Sequence, residues 1–151
     1  MDKLHFSVLI DAPKEKVWDK MLEEKTYREW TETFGPGSHY KGDWNKGSRM
    51  MFLAPDPSGK MGGMVSRIAE NRKYEYISIE HLGIIQNDIE DTSSEEAKKW
   101  AGIHENYTMK EKNGRTELLV DIEINEEEFK NMFRDMWPRA LQKLKEMSEK
   151  Q

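Results

Sequence analysis

The end of the chain carries one continuous apolar face at helical spacing. Apolar side chains recur every three or four residues after residue 128, a pattern typical of an amphipathic helix that buries one side. The face consists of Phe129, Met132, Phe133, Met136, Trp137, Ala140, Leu141, Leu144 and Met147. Pro138 lacks an amide hydrogen and opposes a straight continuation, so it predicts a kink or break near Trp137. Such a helix needs a large apolar surface to lie against.

The partner surface is predicted upstream, where the chain reads as alternating strands. Residues 3–10 alternate in polarity and form a first strand, and two short helices follow, the second of which holds Trp30. From residue 38 to 124 the signals are those of an antiparallel meander, with turns that include Asn71-Arg72 and Asn113-Gly114. This order of elements indicates an α+β fold in which a curved antiparallel sheet grips a long kinked C-terminal helix.

Length and composition narrow the class of protein. A chain of 151 residues predicts a single domain over residues 1–151. The absence of cysteine excludes disulfides and thiolate metal sites. A net charge of −5 argues against nucleic-acid binding, which depends on lysine and arginine at the phosphates. The sequence shows neither a membrane-spanning apolar stretch nor a secretory leader, so a cytoplasmic location is expected.

The hairpin around Asn113-Gly114 predicts which side chains face inward. A two-residue turn there places Tyr107 opposite Val120 and Glu105 opposite Ile122, and opposed residues share a face of the sheet. Because the partners are apolar, Glu105 and Tyr107 should point inward. A carboxylate in such surroundings is costly unless it is paired, protonated or next to a wet cavity. Glu105 therefore either accepts a hydrogen bond in a structural role or contacts a ligand.

His81 is the natural companion of Glu105. It shares the parity of Ile77 and Ile79 on the strand expected beside residues 103–112. A histidine and a glutamate in one cavity could move a proton or orient the polar group of a ligand. The opposite face of the strand also carries residues suited to burial, so the sequence does not decide which way His81 points. A purely structural role for His81 is also open.

The wall of such a cavity is predicted from side-chain character and expected position. Large aromatic rings and flexible thioethers can adapt to varied apolar shapes, although plain core packing is the commoner explanation for each of them. The wall residues are Trp30, Met51, Met64, Trp100, Met132 and Met136. The sequence has no paired-histidine metal motif, glycine-rich phosphate loop or nucleophile elbow, so neither a metal nor a cofactor is predicted.

Several short motifs follow one another along the whole chain. They are Ile10-Asp11-Ala12-Pro13, Val17-Trp18, Trp30, Gly47 at the start of a strand, residues 102–108 and residues 137–144. In this order the chain resembles the START-like superfamily, also called SRPBCC or helix-grip proteins, and within it the branch related to the activator of the heat-shock protein 90 ATPase. The resemblance implies a seven-stranded antiparallel sheet that grips the C-terminal helix, commonly with a hydrophobic cavity between them. Members range from lipid carriers to cyclases and co-chaperone domains, so the fold does not determine the activity.

The preferred hypothesis is a soluble small-molecule binding protein. Its apolar cavity would hold a hydrophobic small molecule, lipid-like or aromatic, with polar contacts from Glu105 and His81. Neither nucleic-acid binding nor membrane insertion is expected. Two alternatives stay open: a cavity enzyme of the cyclase or isomerase type that uses the same two residues, and a co-chaperone-like module that binds a protein through the acidic segment of residues 86–99.

Overall fold

The computed structural model describes residues 2–150 and has an α+β architecture, as the sequence predicts. The strands are β1 (Asp2–Ile10), β2 (His39–Gly42), β3 (Arg49–Pro55), β4 (Met61–Arg72), β5 (Tyr76–Gln86), β6 (Ile89–Asp91), β7 (His104–Lys112) and β8 (Arg115–Ile124). The helices are α1 (Lys14–Leu22), α2 (Glu24–Trp30), α3 (Glu95–Lys98) and α4 (Glu127–Glu149), and a short 3-10 helix (Thr31–Phe34) follows α2.

The strands form one antiparallel sheet in the order β1-β8-β7-β5-β4-β3-β2. This path has the expected seven strands, and β6 pairs with the end of β5 as a short addition. The sequence did not indicate β6, because its pairing depends on a tight reversal at Asn87 and Asp88. Both residues have positive φ, at 52° and 68°.

The β7–β8 hairpin has the predicted register. Glu105 pairs with Ile122, Tyr107 with Val120, and Lys112 with Arg115 next to the turn. The turn residues Asn113 and Gly114 have φ values of 54° and 82°, as a two-residue hairpin turn of the Asn-Gly type requires. The inward orientation of Glu105 follows from this register.

The turn between β4 and β5 lies later than predicted. Asn71 and Arg72 are still part of the ladder, where they pair with Ile77 and Tyr76. The reversal occurs at residues 73–75, and Tyr74 adopts a φ of 68°. The side chain of Asn71 also donates to the carbonyl of Trp44 at 2.7 Å, so this residue belongs to the packed sheet and not to an exposed turn.

The C-terminal helix α4 runs through Pro138 without a break. The predicted break at Pro138 is therefore wrong, while the alternative, a kink, stays a prediction. Pro138 lies on the exposed side of the helix, while Ala140, Leu141 and Leu144 are buried against the rest of the protein. This burial stabilises the helix by more than the one backbone hydrogen bond that proline removes. Within the described part of the chain, none of the helices combines the length and the apolar character needed to span a membrane.

The core lies between the sheet and the helices α1, α2 and α4. Trp137 occupies its centre, with its ring centroid 4.8 Å from that of Phe34 and 6.1 Å from those of Phe6, Trp30 and Tyr107. Trp137 and Trp30 are both almost fully buried. The apolar face of α4 is thus packed against a large apolar surface, as its sequence pattern predicts.

Candidate functional site

A cavity of about 370 Å³ lies between the sheet, α4 and the segment formed by α2 and the 3-10 helix. This volume falls within the range typical of small-molecule sites. Its lining residues are Tyr27, Trp30, Thr31, Phe34, Gly35, Ser38, Phe52, Leu53, Ala54, Gly62, Gly63, Met64, His81, Trp100, Ile103, Glu105, Tyr107, Ile122, Glu123, Phe133 and Trp137. Eight of these are aromatic, so the wall is mainly apolar and rigid.

Glu105 and Tyr107 form the polar centre of this wall. They are two residues apart on β7, so both side chains point to the same face of the sheet. The Tyr107 hydroxyl donates a hydrogen bond to Oε2 of Glu105. The Glu105 side chain keeps 21% of its exposure, whereas Tyr107 is 5% exposed. The carboxylate is therefore oriented by a buried neighbour while it still faces open space.

His81 approaches the same carboxylate from β5. Its Nε2 atom lies 3.5 Å from Oε1 of Glu105, and its Nδ1 atom lies 2.7 Å from the hydroxyl of Ser66. Ser66 is completely buried and is not among the residues that line the cavity. Its hydroxyl can hold the imidazole ring in place but cannot reach a ligand. The parity that the sequence left open is settled here, since His81 faces the cavity.

His81 owes this orientation to the regular alternation of β5, which it shares with Ile79, the partner of Glu105, and a β-bulge begins directly after it. Val65 on β4 pairs with Gly83 and the next residue, Ser66, pairs with His81, so Leu82 is left out of the ladder. On the other side of β5, the His81 amide donates to the carbonyl of Ile103 at 2.8 Å. The pairing of β5 with β7 therefore places the histidine beside the start of β7, where Glu105 lies.

The carboxylate of Glu105 also changes the acidity of the tyrosines around it. Burial raises the pKa of Tyr107 well above its ordinary value, and the charge of Glu105 raises it further. Burial and then the charge of Glu105 likewise raise the pKa of Tyr27. Both phenols therefore stay protonated at physiological pH, and the one hydroxyl hydrogen of Tyr107 is donated to Glu105.

The structure brings together six of the nine residues that the sequence proposes for ligand contact. Those that line the cavity are Glu105, His81, Tyr107, Trp30, Met64 and Trp100. Their contact with a ligand stays a prediction. No three histidine, aspartate or glutamate side chains of residues 2–150 are grouped in a way that could hold a metal ion.

The other three proposed residues lie away from the cavity. Met51 packs with Leu53, Val65 and Ile85, in a second cluster separate from the main core, which holds its neighbour Met50. Met51 was proposed from its side-chain character, but successive strand residues face opposite ways, so Met50 faces the main core and Met51 the other side of the sheet.

Met132 and Met136 lie on a side of α4 that does not line the cavity. Met132 is 37% exposed, and Met136 is half-buried. Each immediately precedes a cavity residue, Phe133 or Trp137, and one residue of a helix corresponds to a rotation of about 100°. The row that faces the cavity is therefore aromatic, and the thioethers lie beside it.

Five aromatic residues of the wall were not among the predicted contact residues. Phe52, Phe133 and Trp137 line the cavity together with Tyr27 and Phe34. A signal was present, since Phe133 and Trp137 belong to the apolar face of α4. Methionines were preferred as adaptable lining residues, so the aromatic residues of this face were not proposed.

Comparison with known proteins agrees with this architecture. The family model described as activator of Hsp90 ATPase homolog 1-like protein matches residues 11–149. No match was found among curated proteins. Among solved structures, the solution structure of the Aha1 dimer from Colwellia psychrerythraea has a TM-score of 0.73 at 14% identity, covering 99% of this chain and 97% of that one.

Two further structures are similar to a comparable degree. Protein CV1439 from Chromobacterium violaceum has a TM-score of 0.70 at 18% identity, covering 99% of this chain and 98% of that one. Protein ChR145 from Cytophaga hutchinsonii has a TM-score of 0.71 at 16% identity, covering 97% and 93%. At these identities the structures show a shared fold only. From the family match over nearly its whole length, the chain belongs to the activator of Hsp90 ATPase homolog 1-like family.

Proposed function

We propose that this protein binds a small molecule in the cavity beneath α4. The observation that carries the proposal is an aromatic-walled cavity of about 370 Å³ with a partly exposed carboxylate on its wall. Apolar walls with a few convergent polar groups are the usual form of a small-molecule site. The wall would bind the lipid-like or aromatic body of a ligand, and the polar centre would orient it.

The cost of placing a charge at this position supports the proposal. A carboxylate in an apolar core needs partners or access to water. Glu105 receives a hydrogen bond from Tyr107 and has His81 nearby, yet its side chain keeps 21% of its exposure. A role limited to packing would be met by an apolar residue in its place. The retained carboxylate is therefore suited to contact a ligand.

Ligand capture can be tested on the purified protein by native mass spectrometry. We expect a bound small molecule that is released by organic solvent and can then be identified. The variant Ala54→Trp would place a large ring in the cavity, since Ala54 is part of its lining. It should purify without the molecule, whereas Ser93→Trp, at an exposed position, should retain it. If both variants and the unchanged protein are empty, and the cavity also takes up no added apolar probe, the proposal fails.

A cavity enzyme is the second candidate, and the His81–Glu105 pair favours it. The 3.5 Å separation of Nε2 and Oε1 would allow the two groups to share or transfer a proton once a ligand lies against them. A cyclisation or isomerisation needs this kind of acid and base on an apolar wall. Glu105→Gln should then abolish turnover of the extracted ligand while its affinity is largely kept, and unchanged turnover would exclude this mechanism.

A further inference from the structure

The charged groups of the cavity wall are acidic. The wall contains the carboxylates of Glu105 and Glu123 and the imidazole of His81, and among the described residues that line it there is no lysine or arginine. A fatty acid or another organic anion would therefore meet carboxylates without a permanent cation to bind it. Like charges in a site of reduced dielectric repel each other more strongly than in water.

Glu105 retains capacity to accept further hydrogen bonds. A carboxylate has about four lone-pair sites. Tyr107 donates to Oε2, and His81 lies 3.5 Å from Oε1, so two directions are taken within the protein. The remaining directions are open to a donor that enters the cavity. An ammonium group provides up to three such donors and the opposite charge.

The aromatic residues around this carboxylate suit a cation for a second reason. Tyr107 and Trp137 both line the cavity with their ring centroids 6.1 Å apart, and the ring of Trp30 lies 6.1 Å from that of Trp137. The face of an aromatic ring attracts an organic cation, most strongly where water is excluded. The carboxylate and the aromatic rings that line the cavity therefore both favour a cationic ligand.

We propose that the cavity selects apolar organic cations, such as aromatic or alkyl amines, with the ammonium group at Glu105 and the apolar body among the rings. This inference rests on the proposed function, since it specifies the charge of the ligand that the cavity binds. His81 limits the position of the ammonium group to the other side of the carboxylate. Glu123 adds negative potential at the wall but is already engaged by the His104 amide at 2.7 Å.

Three matched probes can test the charge preference. 1-Naphthylmethylamine, 1-naphthalenemethanol and 1-naphthoic acid carry the same ring with a positive, neutral or negative group at pH 7. Isothermal titration of each into the unchanged protein should give the tightest binding for the amine. We expect an advantage of about tenfold over the alcohol, in line with a cation bound beside aromatic rings, and weaker binding still for the acid.

The variant Glu105→Gln tests the position of the charge. It should remove the advantage of the amine, so that the amine and the alcohol bind the variant with similar affinity. The matched control is Glu29→Gln, which removes one carboxylate from an exposed position on α2 and should keep the advantage. A thermal melt of each variant reports whether it folds.

The outcomes separate this inference from the proposed function. If the alcohol binds and Ala54→Trp prevents its binding, but the amine binds no better than the alcohol, the charge preference is overturned and small-molecule binding stands. The same holds if the acid binds tightest, or if the amine keeps its advantage in Glu105→Gln. If none of the probes binds the unchanged protein at millimolar concentration, the charge preference is overturned, and small-molecule binding is overturned as well when the protein also purifies empty. The comparison on the unchanged protein decides the charge preference even if Glu105→Gln does not fold.

Discussion

The Nε2 atom of His81 lies 3.5 Å from Oε1 of Glu105, on the neighbouring strand of the sheet. The two residues are brought together by the pairing of β5 with β7, in which Ile79 lies opposite Glu105. Ser66 holds the far side of the imidazole ring, and Tyr107 donates to the far oxygen of the carboxylate. The result is a short polar network on an otherwise aromatic cavity wall.

Removal of the Tyr107 hydroxyl should lower stability at neutral pH. In Tyr107→Phe the carboxylate of Glu105 loses its hydrogen-bond donor, and a bond to a charged group is worth about 1.5–3 kcal/mol. We therefore expect the free energy of unfolding, measured by urea denaturation, to fall by about 1–3 kcal/mol. A change below 0.5 kcal/mol would show that this hydrogen bond contributes little.

The same variant should respond differently to alkaline pH. Burial and the charge of Glu105 raise the pKa of Tyr107 in the folded protein above the ordinary value of 10.0. Above pH 10 the unfolded chain loses a proton that the folded protein keeps, so stability decreases as pH rises. Tyr107→Phe removes this contribution, and its unfolding free energy should decrease less steeply above pH 10. An equal slope in both proteins would contradict the raised pKa.

Two adjacent glycines of the cavity wall should differ in their tolerance of alanine. Gly63 has a φ of 147°, and a Cβ atom there would overlap the carbonyl of Phe52 on the paired strand. Gly62 has an ordinary φ, and its Cβ atom would lie 3.5 Å from the carbonyl oxygen of Ile85. We expect Gly63→Ala to cost more than about 2 kcal/mol because it combines backbone strain with a steric overlap. Gly62→Ala should cost less than about 1 kcal/mol, and similar melting temperatures for the two variants would refute this account of β3–β4 packing.

Trp137 should be the most sensitive aromatic position of α4. Its ring contacts those of Phe34 and Tyr107 in the core, and its side chain is almost fully buried. Trp137→Ala should lower the free energy of unfolding by about 3–5 kcal/mol, as removal of a buried aromatic ring usually does. The matched change Met132→Ala, at an exposed position of the same helix, should stay within about 0.5 kcal/mol. Comparable losses in chemical denaturation would mean that the buried row of α4 has been misassigned.

The end of α4 should contribute a stability that depends on acid pH. Glu149 accepts hydrogen bonds from the ammonium group of Lys145 at 2.5 Å and from the Asp11 amide at 2.8 Å. These bonds lower the pKa of Glu149 from its ordinary value of 4.5, with Lys145 as the larger cause. The stabilisation is therefore present above pH 4.5 and is lost as pH falls through the lowered pKa.

Glu149→Gln tests this contact between α4 and the end of β1. The variant should lose stability less steeply between pH 5 and pH 2 than the unchanged protein in thermal melts. Glu146→Gln removes the same charge from an exposed position of α4 and separates the effect of the hydrogen bonds from that of net charge. If the melting temperatures of the unchanged protein and Glu149→Gln fall equally steeply between pH 5 and pH 2, the lowered pKa is contradicted.

The sequence contained enough information to predict most of the fold. The Asn113-Gly114 turn determines the register of its hairpin, and with it the inward position of Glu105, because a two-residue turn leaves no freedom in the pairing. The apolar periodicity of α4 likewise requires one buried face. These features depend on residues that are close together in the chain, so the sequence alone is enough to predict them.

The parts that could not be predicted depend on contacts between distant residues. The bulge at Leu82 arises from the pairing of β4 with β5, and no pattern in β5 marks it. Pro138 carries a strong breaking signal, but burial of the helix on both sides of it prevails. Met51 and Met132 were placed by side-chain type, whereas their orientation is decided by strand parity and helical rotation.

The most direct test of small-molecule binding uses the methionine methyl groups as reporters. Met64 lines the cavity, while Met132 lies on the exposed side of α4, so a ligand in the cavity should affect them differently. The protein would be labelled with ¹³C at the methionine methyls, and the neutral probe 1-naphthalenemethanol would be titrated while their NMR resonances are followed. We expect a saturable shift of the Met64 resonance and an unchanged Met132 resonance. A Met64 resonance that stays in place up to the solubility limit of the probe, or a shift confined to Met132, would contradict the proposed cavity site.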